Sequence, residues 1–133
     1  MHLSEVEALE LWRRTIVAGV RDDVPDLSAR QMAVLLTVYL KPPPHTVRGL
    51  AGALKISKPA ITRSLDRLSD LGLVRRKIDE SDRRSVLIQR TIHGSVFLRE
   101  YGEMIVASGH ALDDQSDVAT PFPFETALSG GIA

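Results

Sequence analysis

Apolar side chains recur in steps of three and four at Leu3, Val6, Leu9, Trp12, Ile16 and Val20. That spacing predicts an amphipathic helix over residues 3–21. Asp22, Asp23 and Pro25 end it in a short loop. Ser28, with Gln31 three residues on, forms a capping box for a second helix whose buried face is Met32, Leu35, Leu36 and Tyr39. Pro42, Pro43 and Pro44 stop that helix and make a stiff connector. Thr46 caps a short third helix with Val47, Leu50, Ala51 and Leu54 on one face. A tight turn at Lys55-Ile56-Ser57 leads into a fourth helix. Ser57 is its N-cap and Pro59 lies in its first turn, where a missing N–H costs nothing. Ile61, Leu65 and Leu68 form its inner stripe. Lys58, Thr62, Arg63 and Asp66 lie opposite, with Arg67 on the flank. Gly72 is the expected left-handed residue after its end, near Asp70 or Leu71.

The period then changes. Leu73 to Ile78 and Ser85 to Gln89 are rich in β-branched residues and predict two short strands. The polar stretch Asp79-Glu80-Ser81-Asp82-Arg83-Arg84 between them is expected to be a protruding loop, with both arginines at the hairpin tip. Thr91 caps a fifth helix running to about Ala111, with Phe97, Leu98, Tyr101, Met104 and Ile105 on its apolar side. A polar break, Asp113-Asp114-Gln115-Ser116-Asp117, separates it from a tail containing Pro121-Phe122-Pro123-Phe124. The tail is expected to be extended. Its two phenylalanines should pack on a partner surface, since burying each is worth roughly 1.5–3 kcal/mol. The fold class is therefore mainly α with a small β-hairpin wing: a winged helix-turn-helix with an extra helix at each end.

Charge sharpens this picture. The 133 residues carry 17 Lys/Arg and 17 Asp/Glu, a formal net charge of zero. The distribution is uneven. Residues 1–54 are balanced; residues 55–90 hold ten Lys/Arg against five Asp/Glu; residues 91–133 hold one against six. Phosphate attraction is local, screened beyond about 10 Å, so a basic segment in a neutral chain suits DNA. A rod and a basic ribbon side by side fit the major groove and the groove next to it.

Several other classes fit poorly. The chain has no cysteine, which excludes disulfides and thiolate metal sites. His2, His45, His93 and His110 lack metal-ligand spacing, and no Gly-rich phosphate loop or nucleophile elbow is present. No metal, cofactor or enzymatic activity is expected. No apolar run approaches the roughly 18 residues of a membrane span. The first residues do not resemble a signal peptide, so the cytoplasm is the expected compartment.

The element order and several of its segments resemble the MarR family of bacterial transcription regulators. The matching residues run from Leu27-Ser28-Ala29-Arg30-Gln31 to Gly94. Val47 to Ser57 is similar to the first helix-turn-helix segment. Ser57 to Val74, with Thr62-Arg63 and Leu71-Gly72-Leu73-Val74, resembles the recognition helix and wing entry. Asp79 to Arg84 resembles the wing, and Thr91-Ile92-His93-Gly94 the Leu-Thr-x-x-Gly signature without its Leu. Three features depart from the family pattern. Lys55 stands where glycine is common, which would cost on the order of 1 kcal/mol if the turn needs positive φ. Arg90 replaces an apolar residue, which predicts a more exposed strand end. The Pro-Phe tail stands where a final helix is usual.

The resemblance implies a homodimer, with residues 1–26 a dimerisation helix, 27–90 the DNA-binding domain and 91–133 a second dimerisation helix with the tail. Two recognition helices about 34 Å apart would select a palindrome in double-stranded DNA. Lys58, Thr62, Arg63 and Arg67 are the expected contacts in the major groove, since arginine pairs bidentately with guanine O6 and N7. Ser57 and the N–H groups after it suit a phosphate. Arg83 and Arg84 should reach the minor groove or its phosphates, with Asp82 orienting one of them. Asp66 is expected to hold Arg63 or Arg67, acceptance from a cytosine being its other reading. Arg75, Arg76 and Lys77 are phosphate contacts or plain surface. The resemblance also implies a repressor that releases DNA on binding a small aromatic ligand. Its candidate pocket is Trp12, Arg13, Ile16, Met32 and Tyr39. The alternative function is a winged-helix protein-interaction module that does not itself read DNA.

Overall fold

The computed structural model describes residues 2–113. In chain order they form α1 (Glu5–Arg21), α2 (Ala29–Leu40), α3 (Val47–Leu54), α4 (Lys58–Asp70), β1 (Val74–Asp79), β2 (Asp82–Arg90) and α5 (Ile92–Asp113). The Pro-Phe tail lies outside the described residues. The described residues divide into two units: Asp26–Glu100, and the residues up to Pro25 together with those from Tyr101 to Asp113.

The larger unit is a winged helix. Val34, Leu35 and Val38 of α2, Leu50 of α3, and Ile61, Leu65 and Leu68 of α4 are buried together with Leu73, Val74 and Ile88. The caps lie where the sequence puts them. Ser28 and Gln31 exchange side-chain to backbone hydrogen bonds at 3.1 and 2.9 Å. Thr46 Oγ1 accepts from the Gly49 N–H, and Ser57 Oγ from that of Ala60. Lys55 ends α3 in the left-handed region (φ 53°, ψ 46°), so the turn into α4 imposes on lysine a conformation that glycine adopts freely. Gly72, at φ +74°, ends α4 as its sequence position predicts.

A polar joint fastens the wing root. Tyr39 Oη donates to the Leu73 carbonyl at 2.6 Å and accepts from the Thr91 N–H at 2.9 Å. Thr91 Oγ1 donates to the Gly72 carbonyl at 2.7 Å and accepts from the Gly94 N–H, capping α5. A Cβ on Gly94 would run into Tyr39 Oη and the Leu73 carbonyl, so only glycine fits there. Arg90 is exposed, as expected, but it has partners. It donates to the Val38 and Lys41 carbonyls at 2.9 and 3.0 Å, capping the C-terminus of α2, and lies 5.8 Å over the Tyr39 ring.

The hairpin differs from the sequence expectation. β1 and β2 approach to a two-residue turn, Glu80-Ser81, with Asp79 paired to Asp82. The six-residue loop is absent because Asp79 Oδ1 accepts from both the N–H (3.0 Å) and the hydroxyl (2.7 Å) of Ser81, closing an Asx turn. Ile78 pairs with Val86 while Asp79 pairs with Asp82, so Arg83, Arg84 and Ser85 bulge from the ladder. The arginines thus sit beside the tip, in the bulge, and not on it.

In the smaller unit, Ser4 and Glu7 form a capping box for α1. The buried face of α1 holds Thr15 and Gly19. The apolar stripe of the sequence reading faces outward in the single chain: Leu9, Trp12 (64% exposed), Ile16 and Val20 (76%).

Candidate nucleic-acid interface

Local rules place the interface. The stripe Ile61, Leu65 and Leu68 turns α4 inward, and 3.6 residues per turn then exposes Lys58, Thr62, Arg63, Asp66, Arg67 and Asp70 together. Ser57 caps the start of the same helix. The five α4 candidates therefore share one solvent-facing surface. None of Lys58, Arg63 or Arg67 has an ion pair among the described residues.

The wing supplies the second basic element. An open groove of about 500 Å³ runs between the starts of α3 and α4 and the wing. Thr46, Val47, Arg48, Lys58, Arg84 and Ser85 line it, together with Asp82 and Val86. Lys58 and Arg84, candidates from two elements, thus border one groove. Arg48 joins them. Sequence reading passed over it, and its only signal was its place two residues after a helix N-cap.

Asp82 orients a wing arginine as expected. Its Oδ1 lies 3.4 Å from Arg84 Nε and accepts the Arg84 N–H at 3.2 Å. The Arg84 side chain is still 95% exposed. The hydroxyl and N–H of Ser81 hold the Asp79 carboxyl below the usual carboxylate range, so the turn stays ionised at neutral pH.

Asp66 is a correction. It holds neither Arg63 nor Arg67; its Oδ1 lies 2.8 Å from Arg76 NH1, on β1. The reason is tertiary: β1 leaves Gly72 alongside α4 and brings Arg76 to the reading face. Arg75 instead bonds Gln89 across the hairpin at 2.8 Å.

The candidate ligand residues are placed as follows. Trp12 and Ile16 are exposed on α1, and Arg13 pairs with Glu10 at 2.6 Å. Met32 and Tyr39 pack against the core of the larger unit, and the Tyr39 hydroxyl is held in the polar joint. Among the described residues, no group of His, Asp and Glu could hold a metal ion. No described helix is long and apolar enough to cross a membrane.

Comparison with known proteins agrees with this geometry. A family model described as the MarR family matches residues 27–86. The HTH-type transcriptional regulator PecS of Dickeya dadantii is 34% identical over 101 residues. Residues 27–86 of the chain are a MarR-family segment. The match to PecS covers 74% of this chain and 57% of PecS, so the chain spans less than two thirds of that relative. The MarR match takes in α2, α3, α4 and the wing up to Val86, and so both basic elements. Solved structures share the winged-helix fold. The S. aureus MepR–DNA complex superposes with a TM-score of 0.66 at 18% identity, over 92% of each chain. The transcriptional repressor CouR, bound to a 23-mer DNA duplex, gives 0.63 at 23% identity, over 92% of this chain and 82% of CouR.

Proposed function

We propose that this protein is a MarR-family transcriptional repressor that reads a palindromic operator in double-stranded DNA as a homodimer. The observation that carries the reading is the shared exposed face of α4, with Lys58, Thr62, Arg63 and Arg67 beside the Arg84-lined groove. Side chains on such a face reach base edges in the major groove. Ser57 and the first N–H groups of α4 suit a phosphate, and Arg83 and Arg84 suit the adjacent minor groove. MepR and CouR, of the same fold, are seen with DNA bound. The outward stripe Leu9, Trp12, Ile16 and Val20 supports α1 as a dimer face. A small aromatic ligand is the proposed signal for release. The protein works in the cytoplasm, beside its operator.

The test is retention on duplex DNA at rising salt. Binding is expected at low salt, with log affinity falling steeply against log salt concentration. Arg83→Ala is expected to flatten that slope by about one unit. No affinity for any duplex at low salt would overturn the proposal in favour of a protein-interaction module.

A further inference from the structure

Asp66 is an acid in the middle of a cationic reading face. It lies four residues after Thr62 and three after Arg63, so it projects beside both. A carboxylate there repels phosphate, and its removal alone would raise general affinity for DNA. Its ion pair with Arg76 is exposed on both sides, 56% for Asp66 and 35% for Arg76, and so adds little to stability. The pair nevertheless fixes a direction. Arg76 NH1 lies 2.8 Å from Oδ1, so one oxygen of the carboxylate is tied to β1. β1 thus tethers a carboxylate on the exposed face of α4 and leaves more than half of the side chain open to solvent.

We infer that Asp66 discriminates bases by accepting a hydrogen bond from cytosine N4 in the major groove, and that Arg76 is the residue that positions it. Cytosine is the matching base because it offers an amino donor there. Guanine offers two acceptors and thymine an acceptor and a methyl, while adenine sets the N7 acceptor beside its amino group, where its lone pair opposes a carboxylate. Without Arg76 the aspartate rotates freely and the preference blurs. This inference rests on the DNA-binding reading above.

The test is selection of bound duplexes from a randomised library by the full chain and its variants, with melting temperature measured alongside. The wild type is expected to enrich cytosine at one position in each half-site. Asp66→Ala should flatten that position, roughly fivefold or more, keep the preferences elsewhere, and bind random duplex more tightly. Arg76→Ala should weaken the same preference, and Arg76→Lys, which restores a cation, should recover part of it. Unchanged melting temperatures would separate these effects from misfolding. If Asp66→Ala keeps every base preference of the wild type, the inference is wrong. If Arg76→Ala leaves the cytosine preference intact, the positioning role is wrong. A wild type that retains no duplex would refute the DNA-binding reading instead.

Discussion

Tyr39→Phe removes a single oxygen from the joint that holds the wing to α2 and α5. That oxygen donates to the Leu73 carbonyl and accepts from the Thr91 N–H. Leu73 is buried, so its carbonyl gains no water when the hydroxyl is lost. Each buried group left without a partner costs about 1–3 kcal/mol. The phenyl ring keeps its packing and its place under Arg90. The expected loss is therefore about 2–4 kcal/mol, a large part of a typical stability of about 5–15 kcal/mol. Urea unfolding should show a lower midpoint with an unchanged slope. A second variant tests the same geometry by sterics. Gly94→Ala pushes a methyl against Tyr39 Oη and the Leu73 carbonyl. In the Tyr39→Phe background the hydroxyl is gone and the carbonyl and the ring carbon Cζ remain in the way, so its penalty should fall by on the order of 1 kcal/mol. A Tyr39→Phe loss below about 0.5 kcal/mol, or strictly additive variants, would refute this account of the joint.

Lys55→Gly should stabilise the protein by about 0.5–1 kcal/mol, read from the urea midpoint. A left-handed lysine costs about 1–2 kcal/mol, and glycine returns about 0.4–1 of that through the unfolded chain. On the proposed homodimer, Trp12→Ala should weaken self-association by about 2 kcal/mol or more in sedimentation, as for an aromatic anchor at an interface. Hydrogen bonds from Arg13 and then Arg14 lower the Glu10 carboxyl to about 2, which NMR titration should show directly. Its folded value lies below the unfolded one, so its stabilisation is present above about pH 4.3 and is lost as pH falls towards 2. Glu10→Gln should cost only about 0.5–1 kcal/mol at pH 7, because surface helix pairs are weak, and only a small part of that at pH 2.

The parts legible in the sequence are those set by neighbours within one turn of chain. Ser28 with Gln31, Thr46, Ser57 with Pro59, Gly72 and Thr91 each act over three or four residues, and each helix they bound is present. The Ser4–Glu7 box was legible by the same rule and was missed. Strand ends were not legible, since polar residues fill loops and hairpins alike; an Asx turn at Asp79 decided the matter. Partners far apart in sequence were also hidden. Arg90 finds the end of α2 some 50 residues earlier, and Asp66 finds Arg76 because β1 leaves α4 at one particular angle. Arg48 gains meaning only once α3 stands beside the wing.

A neutral chain can still present a cationic face, and the pairing pattern shows how. Three of the five acids between residues 55 and 90 are held locally: Asp66 by Arg76, Asp79 by Ser81 and Asp82 by Arg84. Asp66 and Asp82 each face a cation, and Asp79 is turned onto the uncharged Ser81. Lys58, Arg63, Arg67 and Arg83 have no such ion pair among the described residues. The acidic excess C-terminal to residue 90 is separate in sequence. The field a phosphate meets is then set by the unpaired cations and not by the zero total. The bulge adds to this, because three residues forced out of the ladder leave the two arginine side chains exposed. Net charge is therefore a poor guide to this protein's partner, and the pairing of each acid a better one.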